Sequence, residues 1–181
     1  MSTASHARLS LDEIAARLRT VPDFPQPGVL FRDITPLLSH PEGLASVTAY
    51  LQDALAGRQL DGIIAIEARG FLLGAPLAVA MRLPLLLARK PGKLPAQTVH
   101  AEYVLEYGVD RIEMHADSLQ RFGRYALIDD VLASGGTAAT VLALAQQVGA
   151  EISHCAFLIE LNGLGGRARL GATPVSALLA L

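Results

Sequence analysis

The chain has 181 residues, a length that suits one domain with a hydrophobic core and leaves little room for two. Apolar residues make up 51% of it and the formal net charge is −2, which excludes a disordered chain and a strongly basic nucleic-acid or membrane-surface binder. The single cysteine, Cys155, excludes an internal disulfide framework and a cysteine-cluster metal site. The longest apolar run, Phe71–Met81, is too short to span a bilayer, so we expect a cytoplasmic protein.

The first third of the chain predicts two helices separated by a loop. Ser10 and Glu13 have the spacing of a capping box, and apolar residues follow at helical spacing. Several prolines and Gly28 then predict a long, stiff, irregular loop that lasts until about Pro36. The second helix is predicted over Pro41–Gly57.

Short apolar runs then alternate with helical patterns. Such runs are typical of strands buried on both faces, and their spacing favours right-handed crossovers. We therefore expect an α/β fold, doubly wound, with a mainly parallel sheet and helices on both faces. The predicted elements are strand Gly62–Ile66, helix Phe71–Met81, strand Leu83–Ala88, strand Tyr125–Ile128, helix Thr137–Val148 and strand His154–Leu161.

One β-hairpin is predicted between these βα units. Tyr103–Tyr107 and Arg111–His115 alternate like strands, and Gly108–Asp110 is the predicted turn. With no internal repeat or linker, residues 1–181 are interpreted as a single domain. Gly163–Ala168 superficially matches a dinucleotide-binding pattern, but too little chain follows it for a second βα unit, so it is interpreted as a glycine turn.

The segment Ala126–Ala139 is the most informative in the chain. Its apolar residues end in Asp129 and Asp130, and ligands of open α/β sheets bind outside the carboxyl ends of strands. The loop that follows has no bulky side chain, so its amides and the next helix N-terminus suit a phosphate, while the carboxylates suit vicinal hydroxyls of a sugar. An acidic turn with a helix cap at Ser134 or Thr137 is the alternative.

This segment resembles the signature of the type I phosphoribosyltransferase family, in which two acidic residues precede a small-residue loop for the 5′-phosphate of phosphoribosyl pyrophosphate. Three further segments, in the family's order and spacing, resemble its adenine-using members: Phe24–Pro36, Glu67–Phe71, and Arg89–Pro95 leading to Leu105–Gly108. The resemblance covers about Leu9 to Leu179. It implies transfer of the phosphoribosyl group to adenine, giving AMP and pyrophosphate in purine salvage.

The resemblance also implies the roles of residues that bind phosphoribosyl pyrophosphate. Arg69 would contact its pyrophosphate in a loop that has a non-proline cis peptide bond in many relatives, although a helix cap or a surface ion pair is the alternative. The only two lysines, Lys90 and Lys93, lie in one loop with Arg89, as phosphate binding favours; a solvated basic turn is the alternative. The complete implied set is Arg69, Arg89, Lys90, Lys93, Asp129, Asp130, Ala133, Ser134, Gly135, Gly136 and Thr137.

Base recognition is implied for a segment at about 21–36 and for the hairpin. Phe31 would contact the adenine face, the backbone of Leu30 and Arg32 would read the base edge, and Leu161 would close the other face; a buried loop aromatic is otherwise a core residue. Glu106 would assist proton movement at N7 of the purine, whereas on sequence alone it is a solvated strand glutamate. Residues at about 89–108 would form a lid.

The implied cofactor is Mg²⁺, carried mainly by the substrate's pyrophosphate and ribose hydroxyls rather than by a protein site. The implied partners are the two small-molecule substrates and a second copy of the chain, since family members are dimers in which the basic loop can reach the neighbouring site. Two alternatives stay open. They are a non-catalytic sensor of phosphoribosyl pyrophosphate, which would carry a DNA-binding module not found here, and a transferase for another base such as hypoxanthine or xanthine.

Overall fold

A computed structural model of the chain describes residues 8–105 and 108–181, with the backbone alone at 103–105 and 108–110. The chain forms two compact units, Met1–Ala49 and Tyr50–Leu181. The boundary between them falls inside one helix, α3 (Gly43–Ala54), which the elements α1 (Leu11–Ala15), β1 (Arg19–Pro22), β2 (Leu30–Asp33) and α2 (Thr35–Leu38) precede.

The capping box that begins α1 is confirmed, because Ser10 Oγ accepts from the amide of Glu13 and the Glu13 carboxylate accepts from the amide of Ser10. The irregular loop predicted up to Pro36 is wrong. The strands β1 and β2 pair antiparallel, with Pro22 opposite Leu30. The prolines lie where a missing amide is tolerated: two in the connection between the strands, and Pro36 in the first turn of α2.

The second unit contains the βα elements of the fold. After α3 these are β3 (Gly62–Ile66), α4 (Arg69–Met81), β4 (Leu85–Ala88), β5 (Thr98–Leu105), β6 (Gly108–His115), β7 (Arg124–Leu132), α5 (Gly136–Gln147), β8 (Glu151–Glu160), α6 (Gly166–Arg169) and β9 (Val175–Ala180). Five of the strands form one parallel sheet in the order β4-β3-β7-β8-β9. The predicted fold class is confirmed.

Side-chain alternation along β3 directs the sheet's two faces toward different helices. Ile64 and Ile66 belong to a buried cluster that includes Val141 and Leu144 of α5. On the other face, α4 approaches so closely that a Cβ on Gly74 would lie 2.6 Å from the Cβ of Ala65. Within the described residues, no helix is long and apolar enough to cross a membrane.

The predicted β-hairpin is present, but its turn is misplaced. Gly108–Asp110 belong to β6 and pair with Tyr103–Leu105 of β5. The strands extend further because their apolar side chains continue the alternation: Ala101, Ile112 and Met114 join the core cluster beside α5. The base of the hairpin is therefore part of the core.

Strand β7 is also longer than the predicted Tyr125–Ile128. Its parallel pairing with β8 continues through Asp129 opposite Phe157 and Val131 opposite Ile159. The backbone hydrogen bonds of the sheet therefore hold both aspartates, instead of releasing them into a loop. Strand β8 ends at Glu160, so Leu161 follows the strand rather than belonging to it.

Candidate functional site

The site is built around the acidic pair in β7. The side chain of Asp130 is 4% exposed, and its Oδ2 lies 2.9 Å from Nε of Arg69. Asp129 is half-buried, and its Oδ1 accepts a hydrogen bond of 2.9 Å from the amide of Asp130. One carboxylate is thus ion-paired inside the protein, and the other lies at the edge of a cavity.

Burial raises the pKa of both carboxyl groups. For Asp129, the removal of water is reinforced by the neighbouring charge of Asp130, so its pKa lies well above the usual range. For Asp130, the guanidinium of Arg69 opposes the rise, but burial prevails and the pKa is still raised. Two adjacent desolvated carboxylates form a site that favours hydrogen-bond donors or positive charge.

A cavity lies beside Asp129 at the end of β7. It is lined by Asp129, Val131, Leu132, Ala133, Ser134, Gly135, Gly136, Thr137, Ala138 and Phe157. The structure therefore brings together the residues predicted from 133 to 137 and one of the two aspartates. Such a loop between a strand and a helix N-terminus suits an anion, because backbone amides and the helix dipole both point into it.

The alternative interpretation of this loop was a helix cap at Ser134 or Thr137. Instead, the N-cap of α5 is Gly135, which has a left-handed backbone (φ 75°) and no side chain to cap the helix. The first turn of α5 therefore begins at the cavity without a side chain on its N-cap residue.

Sequence reasoning missed a structural contact to this loop. A Cβ on Gly166 would lie 2.1 Å from the carbonyl oxygen of Ala133, and a Cβ on Gly135 would lie 2.7 Å from the carbonyl oxygen of Gly166. The segment interpreted only as a glycine turn thus packs backbone to backbone on the loop. The adjacent Gly165 and Gly166 were the available signal, since paired glycines permit close backbone approach.

The loop after β3 lies next to the acidic pair. The Glu67–Ala68 peptide bond is cis. Arg69 then begins α4, from where it reaches Asp130. A Cβ on Gly70 would lie 2.9 Å from Oδ1 of Asp129, so only glycine lets this helix start approach the carboxylate so closely.

The loop after β4 carries the predicted basic residues. Nε of Arg89 donates to the Glu67 carboxylate at 2.7 Å, and its guanidinium also donates to the carbonyl oxygen of Lys93 at 3.0 Å. The side chains of Lys90 and Lys93 are exposed. Sequence reasoning missed Glu113 of β6, whose carboxylate accepts from the amide of Gly92 at 3.2 Å.

The residues predicted to contact the base belong to different units. Leu30, Phe31 and Arg32 lie in β2 of the first unit, where the rings of Phe31 and Phe24 meet edge to face at 5.0 Å. Arg32 donates to the hydroxyl of Thr20 on β1. Leu161 belongs to the second unit, and Glu106 lies outside the described residues.

Comparisons with known proteins agree with this geometry. The family model for the phosphoribosyl transferase domain matches residues 33–173. An adenine phosphoribosyltransferase from Synechococcus sp. is 48% identical over 168 residues, which cover 92% of this chain and 98% of the relative.

Two solved structures of adenine phosphoribosyltransferases are also similar. The enzyme from Thermoanaerobacter pseudethanolicus has a TM-score of 0.93 at 42% identity, with 95% of this chain and 100% of that chain covered. The enzyme from Saccharomyces cerevisiae, complexed with an iminoaltritol bisphosphate and adenine, has a TM-score of 0.87 at 34% identity, with 93% and 98% covered. The acidic pair, the small-residue loop and these matches together place the chain in the adenine phosphoribosyltransferase family.

Proposed function

We propose that this protein transfers the phosphoribosyl group of 5-phosphoribosyl 1-pyrophosphate to adenine, giving AMP and pyrophosphate. In this reaction the bond from the anomeric carbon to pyrophosphate breaks, a bond to N9 of adenine forms, and the base loses a proton. The observation that carries the proposal is the cavity between β7 and α5, which is lined by the Asp129 carboxylate and by the small-residue loop that leads into α5.

The 5′-phosphate is assigned to the loop Ala133, Ser134, Gly135, Gly136 and Thr137, because its amides and the dipole of α5 favour an anion. The ribose hydroxyls are assigned to Asp129 and Asp130. As the anomeric carbon loses its leaving group it becomes positively charged, and carboxylates held in place beforehand stabilise that charge. The burial of both groups supports this role, since a buried negative charge gains most from a positive neighbour.

The leaving pyrophosphate is assigned to Arg69, Arg89, Lys90 and Lys93. The exposure of Lys90 and Lys93 supports this, because their ammonium groups can reach a ligand without breaking the core. Arg69 and Arg89 are already held by carboxylates, on Asp130 and Glu67, which fixes their positions before the substrate arrives. Cations in place at the leaving group stabilise the charge that develops there.

The adenine-binding role stays a proposal for Leu30, Phe31 and Arg32 and, separately, for Leu161. Rigid backbone donors and acceptors can distinguish a 6-amino from a 6-oxo purine, because the wrong group leaves buried polar atoms unpaired. Glu106 is the proposed catalytic residue for proton movement at N7. A carboxylate suits this task when closure removes water and raises its pKa.

Mg²⁺ is the proposed cofactor. Among the described residues, no group of three or more His, Cys, Asp or Glu side chains could hold a metal ion. Mg²⁺ keeps several water ligands and uses one or two carboxylates together with substrate phosphates, so a site with Asp129 and Asp130 fits an ion carried by the substrate. When bound, the ion would neutralise charge on the leaving pyrophosphate.

A homodimer is the proposed assembly. On α4, Leu72 is 45% exposed and Val79 is 80% exposed, and their spacing of seven residues places them on one helix face. An exposed apolar helix face supports self-association. Sedimentation velocity tests this directly.

The one cysteine, which is buried and free, supports a reducing cytoplasmic location.

A base panel tests the proposed function. Purified protein is incubated with phosphoribosyl pyrophosphate, Mg²⁺ and one base at a time: adenine, hypoxanthine, guanine or xanthine. We expect rapid nucleotide formation with adenine alone. Efficient turnover of hypoxanthine or guanine without formation of AMP would show that the base assignment is wrong. Tight binding of phosphoribosyl pyrophosphate without turnover of any base would instead indicate a sensor.

A further inference from the structure

A buried carboxylate in β6 has no role in the site as described so far. Glu113 is only 6% exposed. Its neighbours Ile112 and Met114 point into the core cluster, so strand alternation directs Glu113 to the opposite face. A buried charge is costly unless its oxygens are hydrogen-bonded, and here both are.

The two oxygens of Glu113 contact different parts of the molecule. Oε2 accepts from the amide of Gly92 at 3.2 Å, and Oε1 accepts from Arg111 at 2.6 Å. The backbone of Glu113 also pairs with Arg89 in both directions, at 2.9 and 2.7 Å. Glu113 therefore holds Arg89 and Gly92 of the segment 89–93, which we call the basic turn.

The last residue of the basic turn, Lys93, is held by Arg89 of the same segment. The guanidinium of Arg89 donates to the carbonyl oxygen of Lys93, and its Nε donates to Glu67. Gly92 has φ +73°, which allows the reversal that directs its amide at Glu113. Three hydrogen-bonded points thus hold a five-residue segment on which Lys90 and Lys93 are exposed.

We propose that Glu113 is a positioning residue that holds the basic turn in the conformation that binds pyrophosphate. This inference rests on the proposed function, because it assumes that Lys90 and Lys93 bind the leaving group. Glu113 acts through the amide of Gly92 and does not touch the substrate. Its contribution is to order the lysines before binding, which lowers the entropy lost when the pyrophosphate arrives.

A role of Glu113 through its charge and a role through its hydrogen bond to Gly92 predict opposite changes in binding of phosphoribosyl pyrophosphate when Glu113 is replaced. If the residue acted only through its negative charge, it would weaken anion binding, and its removal would tighten binding of phosphoribosyl pyrophosphate. If it acts by holding Gly92, its removal weakens binding. The direction of the change in KM therefore distinguishes the two roles.

Three substitutions of Glu113 distinguish the effect of side-chain length from the effect of charge. Glu113→Gln keeps the length and one acceptor oxygen for Gly92 but loses the charge; Arg111 is half-buried and can turn toward solvent. Glu113→Asp keeps the charge but is one methylene too short to reach Gly92. Glu113→Ala loses both. Glu151→Gln, at an exposed glutamate on β8, is the matched control for loss of one negative charge.

We expect E113A and E113D to raise the KM for phosphoribosyl pyrophosphate by about tenfold, the effect of one lost hydrogen bond. The KM for adenine should stay unchanged, and E113Q and E151Q should stay within about threefold of the unsubstituted protein. In the free protein, amide exchange in peptides covering 89–95 should accelerate in E113A and E113D but not in E113Q.

The proposal is overturned if E113D behaves like the unsubstituted protein while E113Q behaves like E113A, because charge would then be what matters. Unchanged KM and exchange in all three variants, or parallel losses in kcat and in both KM values, also overturn it. The double variant Lys90→Ala/Lys93→Ala separates this proposal from the proposed function. If that variant leaves the KM for phosphoribosyl pyrophosphate unchanged, the pyrophosphate role of the turn fails; if it raises the KM and E113A does not, only the role of Glu113 fails.

Discussion

At the scale of single residues, Asp129 and Asp130 combine a cost in stability with a gain in function. Both lie inside β7, where the sheet shields them from water, and Arg69 forms an ion pair with Asp130. A polar side chain in a buried strand destabilises the fold unless it is paired. This arrangement is expected where a ligand later supplies the missing partner, which under the proposed function is the pair of ribose hydroxyls.

Replacing both aspartates by asparagine keeps the shape of the site and removes its charge. We expect turnover and affinity for phosphoribosyl pyrophosphate to fall by about 10²-fold or more, since removal of one preorganised electrostatic contact commonly has an effect of this size. Steady-state kinetics on D129N/D130N, with circular dichroism as the folding control, measures this. A folded double variant with unchanged kinetics contradicts the assigned role.

The raised pKa of Asp129 predicts how stability depends on pH. The folded protein binds a proton at Asp129 more readily than the unfolded chain, so the ionised group lowers stability at neutral pH and this penalty fades as the pH falls. Asp129→Asn removes the charge, and its amide oxygen can still accept from the amide of Asp130. We expect the midpoint of thermal unfolding at pH 7 to rise by about 2–4 °C, which corresponds to ~1 kcal/mol in a chain of this size.

Calorimetry at pH 7 and pH 5 tests this expectation. The difference between D129N and the unsubstituted protein should shrink at the lower pH, because the fraction of Asp129 that is ionised falls as the pH falls. A midpoint for D129N below that of the unsubstituted protein at pH 7 would be the opposite of the expected result.

At the scale of elements, the loop between β7 and α5 depends on the chain that crosses it at Gly165 and Gly166. The backbone of Gly166 leaves no room for a side chain against Ala133, and Arg167 in the next position pairs with Glu160 at the end of β8. The crossing chain is thus anchored to the sheet. We infer that it supports the shape of the anion-binding loop from outside.

Gly166→Ala should displace this loop. A displacement of about 1 Å can reduce activity by about 10²-fold, so we expect the KM for phosphoribosyl pyrophosphate to rise between about tenfold and a hundredfold. Gly163→Ala is the control. Gly163 has φ +80°, and apart from its chain neighbours no heavy atom lies within 4 Å of a Cβ built on it, so the substitution strains the backbone without touching the loop. It should lower stability by ~1 kcal/mol and leave the kinetics unchanged. A folded G166A with the KM of the unsubstituted protein refutes the supporting role.

The proposed lid at about 89–108 is the second prediction at this scale. Ala101, Ile112 and Met114 anchor the base of the hairpin in the core, so closure would have to involve the parts beyond that base. Closure would bring Glu106 to the base and exclude water from the activated sugar, whereas the basic turn is already held by Glu113. Hydrogen exchange across 89–108 should slow when analogues of both substrates are bound, whereas β3 should not change. High protection in the free protein that does not rise with ligands rules out a lid.

At the scale of the whole molecule, the parallel sheet explains why segments that are distant in the sequence contribute residues to one site. Strand β3 lies between β4 and β7, and the carboxyl ends of parallel strands meet at one edge. The ion pair Arg69–Asp130 links the start of α4 to β7, and the ion pair Arg89–Glu67 links the loops that follow β4 and β3. Residues more than sixty positions apart in the chain are thereby held together before any ligand binds.

Much of this arrangement could be predicted from the sequence, and the exceptions have physical reasons. Strand β3 is buried on both faces, so Gly62–Ile66 is a continuous apolar run and its bounds were predicted correctly. The strand pair β1–β2 was missed because each strand has only four residues and the prolines around them indicated an irregular loop. Glu113 and Gly166 were missed because a polar residue in a strand, or a glycine in a turn, looks the same in sequence whether it contacts solvent or another loop.

The most direct test of the account measures AMP and pyrophosphate together in one reaction. Protein, adenine, phosphoribosyl pyrophosphate and Mg²⁺ are combined, and both products are quantified over time for the unsubstituted protein and for D129N/D130N. The account predicts one AMP for each pyrophosphate released, with both lost in the variant. Release of pyrophosphate without AMP, or equal AMP formation by the variant, would contradict the claim that the acidic pair in β7 is the centre of an adenine phosphoribosyltransferase site.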